Sequence, residues 1–180
     1  MRIVGGEARG RTLRSVAGTT TRPTADRVRQ SLFDALGQRM DGLAVLDLYA
    51  GTGALGLEAL SRGAKSAVFV ESDARACGVI YGNIADLKYE ERARVVRDEL
   101  PQALQKLRGS KFDLVFSDPP YALRASQAVL DGLSTNDLLD RGSRVVLEMD
   151  RRDATPQCPE GFRIADERRY GDTRVVIVTH

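Results

Sequence analysis

An acid, two prolines and an aromatic ring follow one another as Asp118, Pro119, Pro120 and Tyr121, directly after the apolar run FDLVFS. Adjacent prolines stiffen the chain and keep it from entering a helix at once, so nearby carbonyls have no helical partners. A carboxylate and a free carbonyl on a rigid frame suit an exocyclic amino group, which donates two hydrogen bonds. The Tyr121 ring offers a face on which the base bearing that amine can stack. The motif therefore predicts a catalytic site for an aromatic amine; a strand-ending turn with a buried tyrosine is the competing interpretation.

Three glycines, Gly51, Gly53 and Gly56, lie between an apolar run and a helical pattern in VLDLYAGTGALGLEAL. The spacing G-x-G-x-x-G is typical of loops where the backbone approaches a nucleotide cofactor at the start of a helix. Glu71 lies 20 residues after Gly51, at the end of the next apolar run, where its carboxylate can accept hydrogen bonds from ribose hydroxyls. These features fit either a dinucleotide or S-adenosylmethionine, and a purely structural turn is the third interpretation.

Two further acids favour S-adenosylmethionine over a dinucleotide. Asp47 precedes Gly51 by four residues, where a carboxylate would repel a pyrophosphate but attract a ligand's ammonium group, directly or through water. Asp98 ends the third apolar run and is placed to accept a hydrogen bond from an adenine amino group. We therefore predict S-adenosylmethionine as the cofactor. The predicted cofactor-binding residues are Asp47, Tyr49, Gly51, Gly53, Glu71, Ser72, Asp98 and Glu99.

The scarcity of histidine and cysteine narrows the chemistry. His180 is the only histidine, and Cys77 and Cys158 are the only cysteines, which argues against Ser-His or Cys-His nucleophiles and histidine metal sites. We expect a reaction without a metal, in which the acceptors of the proline motif hold an amine's hydrogens while it attacks a sulfonium methyl group. In-line positioning can lower the barrier by about 7 to 11 kcal/mol, and the acceptors add roughly 3 kcal/mol. A base in structured nucleic acid would have to leave its stack to react.

Alternating strands and helices from residue 43 onward must bring these motifs together. The expected parallel strands are LAVLDLY, SAVFVESD, RARVVRDE, FDLVFSD and SRVVLEMD, and the expected helices are ALGLEALSRG, ARACGVIYGNIADLK, LPQALQKLRG and SQAVLDGLSTNDLLD. Continuously apolar strands indicate a parallel sheet covered by helices on both faces. FRIADERRY and TRVVIVTH predict an antiparallel C-terminal hairpin at the sheet edge. We predict an α/β fold with a mostly parallel seven-stranded sheet, in which the glycine loop and the proline motif face one crevice.

The first 40 residues form a distinct, basic part of the sequence. We predict that residues 1–40 are an N-terminal extension, a small hairpin and a helix packed on a domain of residues 41–180. The extension carries eight arginines and three acids, whereas the other 140 residues carry 19 basic and 22 acidic side chains. A basic arm on a mildly acidic body is expected for a polyanionic partner such as nucleic acid, although such arms also serve solubility. Thr24 is predicted as the N-cap of the helix.

The stretches LDLYAGTGALGLEALSRGA, VFVESD and FDLVFSDPPY resemble class I S-adenosylmethionine-dependent methyltransferases, which have a Rossmann-like fold. RIVGGEARGRTL, TRPTADRVRQSLFDAL and YGDTRVVI are similar, more narrowly, to the RsmD-type 16S ribosomal RNA guanine-N2-methyltransferases, over nearly the whole chain. The resemblance implies methylation of one guanine N2 amine in 16S rRNA, within an assembling or assembled small subunit. It assigns amine holding to the proline motif and cofactor binding to Gly51, Gly53 and Glu71. The predicted RNA-binding residues are Arg9, Arg11, Arg22, Thr24 and Arg27.

Other functions fit parts of the sequence. An adenine-N6 DNA methyltransferase would share DPPY, but no insertion is long enough for a DNA recognition region. A protein-glutamine methyltransferase would leave the basic arm unexplained, and a nicotinamide oxidoreductase would leave DPPY unused. A non-catalytic RNA-binding assembly factor would transfer no methyl group. Because the chain has neither an 18-residue apolar stretch nor a signal-peptide core, we expect a cytoplasmic protein without a membrane partner, and we expect a monomer.

Overall fold

A computed structural model describes residues 1–16, 23–120 and 123–180, and of residues 23–25 it describes the backbone alone. These ranges contain five helices and seven strands. The helices are α1 (Pro23–Leu36), α2 (Ala54–Ser61), α3 (Ala74–Leu87), α4 (Gln102–Gln105) and α5 (Ser126–Thr135). The strands are β1 (Ala44–Leu48), β2 (Ser66–Glu71), β3 (Ala93–Arg97), β4 (Phe112–Ser117), β5 (Leu139–Asp150), β6 (Arg163–Tyr170) and β7 (Thr173–Thr179). None of the helices described is both long and apolar enough to cross a bilayer.

The seven strands form one sheet in the order β3-β2-β1-β4-β5-β7-β6. β1 to β5 pair in parallel, whereas β7 is antiparallel to both β5 and β6. The predicted fold class, a mostly parallel seven-stranded sheet with an antiparallel C-terminal hairpin, is therefore confirmed. The strand order reverses between β1 and β4, so a crevice opens beyond the carboxyl ends of these two strands.

Alternate strand residues pack into two apolar clusters on opposite faces of the sheet, as the two-residue period of a strand requires. Val45, Phe69 and Phe116 belong to the cluster that α1, α2 and α3 cover. The second cluster contains Leu46 and Val115 and is covered by α4 and α5. Both faces are thus buried, which explains why the strands are apolar throughout rather than at every second position.

Several element boundaries differ from those expected, including those of β5, α4 and α1. β5 begins at Leu139 instead of Ser143, because Leu139 is buried and pairs with Phe112 before an irregularity near Gly142, whose φ is 89°. α4 is a single turn of four residues. α1 begins at Pro23, so Thr24 lies in the first turn and the N-cap prediction is wrong; proline suits the first helical position because it lacks an N–H.

The N-terminal arm, residues 1–14, is a turn that packs on the helices of one face. It is closed by a single antiparallel bridge between Arg2 and Thr12, rather than by two regular strands. Ile3 and Leu13 are buried in the cluster that α1 to α3 cover. The Met1 sulfur lies 3.8 Å from the Thr52 hydroxyl, so the arm begins beside the glycine loop.

A buried carboxylate fixes the arm and α1 to α2. Glu58 is fully buried and accepts hydrogen bonds from the Val4 N–H (2.8 Å), Arg62 Nε (2.8 Å) and Arg29 Nε (3.4 Å). At the other end of α1, the Leu36 carbonyl accepts a hydrogen bond from Arg144, which pairs with Leu114 near the amino end of β4. α1 therefore points its N-terminal turn toward the carboxyl edge of the sheet.

Candidate active site

A cavity of about 530 Å³ lies at the carboxyl edge of the sheet. Its walls come from the loop after β1, the end of β2 and the segment after β4. The lining residues are Tyr49, Gly51, Glu71, Ser72, Asp118, Pro119, Pro120 and Leu123. The glycine loop and the proline motif, which are 67 residues apart in the chain, thus face one space. Four predicted cofactor residues, Asp47, Gly53, Asp98 and Glu99, do not line it.

The loop after β1 has a backbone that only certain residues tolerate. Gly51 and Gly53 have positive φ angles of 55° and 77°, and Tyr49, which is not a glycine, has φ 57°. A non-glycine residue in this left-handed region is uncommon and is concentrated at functional sites. Glycine is required at position 56 for a different reason, because a Cβ there would lie 2.4 Å from the Phe69 ring. The loop thus combines a tight turn with close packing of α2 on β2.

Asp47 lies beneath the loop rather than on the cavity wall. Its side chain is 2% exposed, and it accepts a hydrogen bond from the Gly56 N–H at 2.8 Å. Burial, together with the negative charges of Asp118 and Glu71, raises its pKa to about 8 against the lowering effect of Gly56. No cation pairs with Asp47 among the described residues, so a positive charge entering the cavity would favour the ionised form.

Glu71 connects the end of β2 to the glycine loop. One carboxylate oxygen accepts a hydrogen bond from the Gly51 N–H at 2.8 Å, and the other accepts from the Ser72 and Asp73 N–H groups at 2.9 Å. Each oxygen of a carboxylate has about two acceptor directions, so the side chain keeps capacity for a further donor. It is a cavity-lining anion held in a fixed orientation.

Asp98 is near this site but its carboxylate is engaged elsewhere. The Asp98 N–H donates to the Glu71 carbonyl at 3.1 Å, which places the two residues at neighbouring strand ends. Its carboxylate oxygens contact Lys106 Nζ at 2.6 Å and the Glu99 N–H at 2.9 Å, and these hydrogen bonds lower its pKa. Adenine binding by Asp98 would require it to share its oxygens with Lys106.

The segment after β4 gives the cavity its acceptors. The Asp118 side chain is solvent-exposed where it faces the cavity, while the protein packed around it raises its pKa to about 6. The Pro120 carbonyl accepts from the Leu123 N–H at 2.9 Å, whereas no described residue donates to the Pro119 carbonyl. Asp118 and Pro119 therefore present two acceptors on a stiff segment. Tyr121, predicted to stack on the base, lies outside the described residues.

Glu148, a residue that sequence reasoning missed, lies beside Asp118. Ser117 pairs with Leu147 in the parallel β4–β5 ladder, so the next residues along both strands are adjacent. Burial and the charge of Asp118 raise the pKa of Glu148 to about 8. The signal in the sequence was an acid inside the otherwise apolar run VVLEM.

The predicted RNA-binding arginines have different surroundings. Arg9 and Arg27 are exposed, line one groove of about 310 Å³ with Arg2, and have no ion-pair partner within the described ranges. Arg11 instead donates to the Asp86 carbonyl at 2.7 Å, which fastens the arm to α3. Arg22 and the side chain of Thr24 lie outside the described part of the chain.

Comparison with known proteins gives close matches along nearly the whole chain. The family model described as conserved hypothetical protein 95 matches residues 1–179. The Bacillus subtilis protein named "Putative rRNA methyltransferase YlbH" is 37% identical over 179 residues, covering 98% of this chain and 97% of that protein. The Escherichia coli "Ribosomal RNA small subunit methyltransferase D" is 34% identical over 171 residues, covering 95% and 85%. The solved structure "Putative methyltransferase yhhF from Escherichia coli" has a TM-score of 0.89 and 31% identity, covering 100% of this chain and 97% of that one.

Proposed function

This chain belongs to the family of conserved hypothetical protein 95, the RsmD-type ribosomal RNA methyltransferases, and we propose that it methylates the N2 amine of a guanine in 16S rRNA. The methyl donor is S-adenosylmethionine, and the substrate is RNA of the small ribosomal subunit in the cytoplasm. The observation that carries the proposal is the single cavity shared by the glycine loop and Asp118-Pro119-Pro120.

The charge of the cavity supports this cofactor. Glu71 and Asp118 line it and Asp47 lies below, with a pKa that their charges raise. S-adenosylmethionine carries an ammonium and a sulfonium, which such a site attracts, whereas the pyrophosphate of a dinucleotide would be repelled. The Gly51 N–H, which would face a phosphate in a dinucleotide site, is already bonded to Glu71. Glu71 would bind the ribose, and Asp47 would act on the ammonium group through water or the loop.

Bound S-adenosylmethionine supplies an electrophilic methyl group on its sulfonium. The protein's part is to hold the attacking amine in line with it. The Asp118 carboxylate and the Pro119 carbonyl would accept the two N2 hydrogens, which directs the nitrogen lone pair toward the methyl group and stabilises the positive charge that develops on nitrogen. After transfer, one N2 proton leaves, and Asp118, which lines the cavity and would hold this amine, can accept it.

The exposed arginines support RNA as the substrate. Arg9 and Arg27 share a groove that α1 connects to the carboxyl edge of the sheet, and unpaired guanidinium groups bind phosphates. An arm fastened to α2 by Glu58 and to α3 by Arg11 would recognise the shape of a folded RNA, while a single base enters the cavity.

The decisive experiment uses small ribosomal subunits from cells that lack this protein. We expect incubation with methyl-labelled S-adenosylmethionine to label one guanine as N2-methylguanine, and the Asp118→Ala variant to leave it unlabelled. Label in adenine, in ribosomal protein or nowhere would contradict the proposal. Calorimetry with S-adenosylmethionine and with NADH provides an independent test, because binding of NADH alone would exclude methyl transfer.

A further inference from the structure

Glu148 is an acid within a buried strand, and the proposed amine-holding step does not use it. It lies in β5, whose neighbouring positions Leu147 and Met149 are buried in the cluster under α4 and α5. Side chains alternate along a strand, so Glu148 points to the other face, as does Val146, which belongs to the cluster under α1 to α3.

Asp47, Asp118 and Glu148 share this face, and of these three acids Asp118 lines the cavity. Register pairs Asp47 with Phe116 and Phe116 with Val146. Two residues farther along their strands come Asp118 and Glu148, so the two side chains extend from adjacent strands toward the same side. Asp118 directly follows the last β4–β5 pair, Ser117 with Leu147, and its charge acts on Glu148, so the two carboxylates are near neighbours at the carboxyl end of β4.

Glu148 is partly buried, and no hydrogen bond or ion pair to it is found within the described ranges. The charged groups near it are acids: Asp118 raises its pKa, and Asp47 lies on the same face. The buried cation of α1, Arg29, is already bonded to Glu58 and Asp26. An unpaired carboxylate beside the proposed amine site has acceptor capacity that the free protein leaves unused.

We propose, on the premise of the function proposed above, that Glu148 reads the N1–H of the target guanine and so selects guanine over other bases. Guanine presents N1–H and the N2 amine side by side on its Watson–Crick edge. With the amine between Asp118 and Pro119, the neighbouring N1–H would meet the next acceptor along the sheet, which is Glu148. The site would thus offer acceptors to every donor on that edge.

The same arrangement disfavours the other amino-purines. Adenine and 2-aminopurine carry a lone pair at N1 instead of an N–H. An ionised Glu148 carboxylate would repel this lone pair and would itself lack a hydrogen-bond donor. Leaving a buried acceptor unpaired costs about 1 to 3 kcal/mol, or about 5- to 150-fold in rate. 2-Aminopurine is the sharper probe, because it keeps the 2-amino group that Asp118 would hold and differs from guanine at N1 and O6.

The experiment compares guanine, 2-aminopurine and inosine at the mapped acceptor position of 16S rRNA in reconstituted small subunits. Above pH 8, where Glu148 is ionised, we expect kcat/KM of the unaltered protein to favour guanine over 2-aminopurine by about 5- to 150-fold, with no transfer to inosine, which lacks the amine. Glu148→Gln should abolish most of that preference, because an amide can donate to the N1 lone pair of 2-aminopurine as well as accept from the N1–H of guanine. Because the pKa of Glu148 is raised to about 8, the preference of the unaltered protein should also rise with pH through about 8, and that of the variant should not.

The outcomes separate this inference from the proposed function. An equal loss for both bases, an unchanged preference, or loss of S-adenosylmethionine binding in Glu148→Gln would each overturn the role of Glu148. Failure of the unaltered protein to methylate guanine would instead overturn the proposed function. Glu148→Asp, which keeps the charge but shortens the side chain, should show a smaller loss of preference and serves if Glu148→Gln does not fold.

Discussion

The carboxylate of Glu71 accepts a hydrogen bond from the backbone N–H of Gly51 at 2.8 Å, and so joins the end of β2 to the loop after β1. The same carboxylate accepts from two N–H groups that follow β2. It therefore orders the cavity wall before any ligand binds. A ribose bound there would meet an acceptor that is already oriented, which reduces the entropy lost on binding.

Replacing Glu71 by alanine should weaken S-adenosylmethionine binding by about 10- to 150-fold, because a charge-assisted hydrogen bond contributes roughly 1.5 to 3 kcal/mol. The variant should also unfold at lower urea concentration, since three backbone N–H groups lose their acceptor. Calorimetry and urea denaturation measure the two effects separately. Asp73→Ala removes a nearby acid that caps α3, so it is the matched control and should leave the affinity within about threefold. Unchanged affinity in a folded Glu71→Ala protein would contradict the ribose assignment.

Asp118 should control the rate of transfer rather than the binding of the cofactor. Asp118→Asn retains one carbonyl acceptor but loses the charge, and we expect a single-turnover rate about 10²- to 10³-fold lower with nearly unchanged cofactor affinity. Because the pKa of Asp118 is raised to about 6, the acceptor form is lost as pH falls. The single-turnover rate should therefore rise with pH through about 6 and then level. A rate that is flat between pH 5 and pH 7 would count against this role.

Asp47 should make the ligand-free protein less stable as pH rises. Its pKa is about 8 in the folded protein and about 3.9 in an unfolded chain, so between these values the folded state binds the additional proton. The free energy of unfolding then falls with pH, by up to about 1.4 kcal/mol per unit for this group. In Asp47→Asn the amide carbonyl can still accept from Gly56, and this slope should be smaller. Urea denaturation at several pH values would refute the effect if both proteins gave parallel slopes.

The periodicity of the apolar runs was sufficient to predict the sheet. Strands that are apolar on both faces, such as VLDL and VVL, indicated a parallel sheet, and the two final runs separated by GD indicated the hairpin. The extension of β5 back to Leu139 could not be predicted, because the pattern DLLD fits a helix end as well as a strand, and the pairing with Phe112 decides between them. Tertiary contacts determined this boundary.

The parts of the site formed by glycine and proline were predictable, because these residue types restrict the backbone directly. The surroundings of the acids were less predictable, because they depend on which tertiary partner each acid contacts. The glycines and prolines predicted the common cavity, because strand ends in such sheets converge. The ion pair between Asp98 and Lys106 could not be predicted, because only the turn of α4 brings the two residues together. Glu148 was overlooked because its relation to Asp118 depends on the β4–β5 register. The chemical roles of these residues stay predictions.

Glu58 should be essential for the stability of the arm. It is fully buried and pairs with Arg29 and Arg62, which are also buried. Glu58→Ala would leave the buried Arg62 without an acidic partner and Arg29 with Asp26 alone, and breaking a buried pair costs about 3 to 5 kcal/mol. The surface acid Glu7, whose side chain is 61% exposed in its pair with Arg92, is the control, and Glu7→Ala should cost less than about 1 kcal/mol. Equal midpoints of urea unfolding for the two variants would show that the buried pairs contribute no net stability.

The arm should bind RNA through Arg9 and Arg27 rather than through Arg11. Arg11 donates a hydrogen bond to the Asp86 carbonyl, so reversing its charge would also detach the arm from α3. A loss of RNA binding in that variant could then reflect misfolding of the arm. The double variant Arg9→Glu, Arg27→Glu should weaken binding to 16S rRNA and reduce the slope of log affinity against log salt by about one for each lost phosphate contact. Titrations at several salt concentrations measure that slope, and calorimetry should show normal cofactor binding.

A double variant with the same change in charge tests whether position matters. Arg141 and Arg163 are exposed, lie in β5 and β6, and line neither the groove nor the cavity. Arg141→Glu, Arg163→Glu alters the net charge by the same amount, so it should change the overall attraction to RNA equally at long range but remove no phosphate contact. The salt slope should then stay near that of the unaltered protein. If both double variants reduce the slope alike, RNA responds only to the net charge of the protein, and the groove between the arm and α1 is not its binding site.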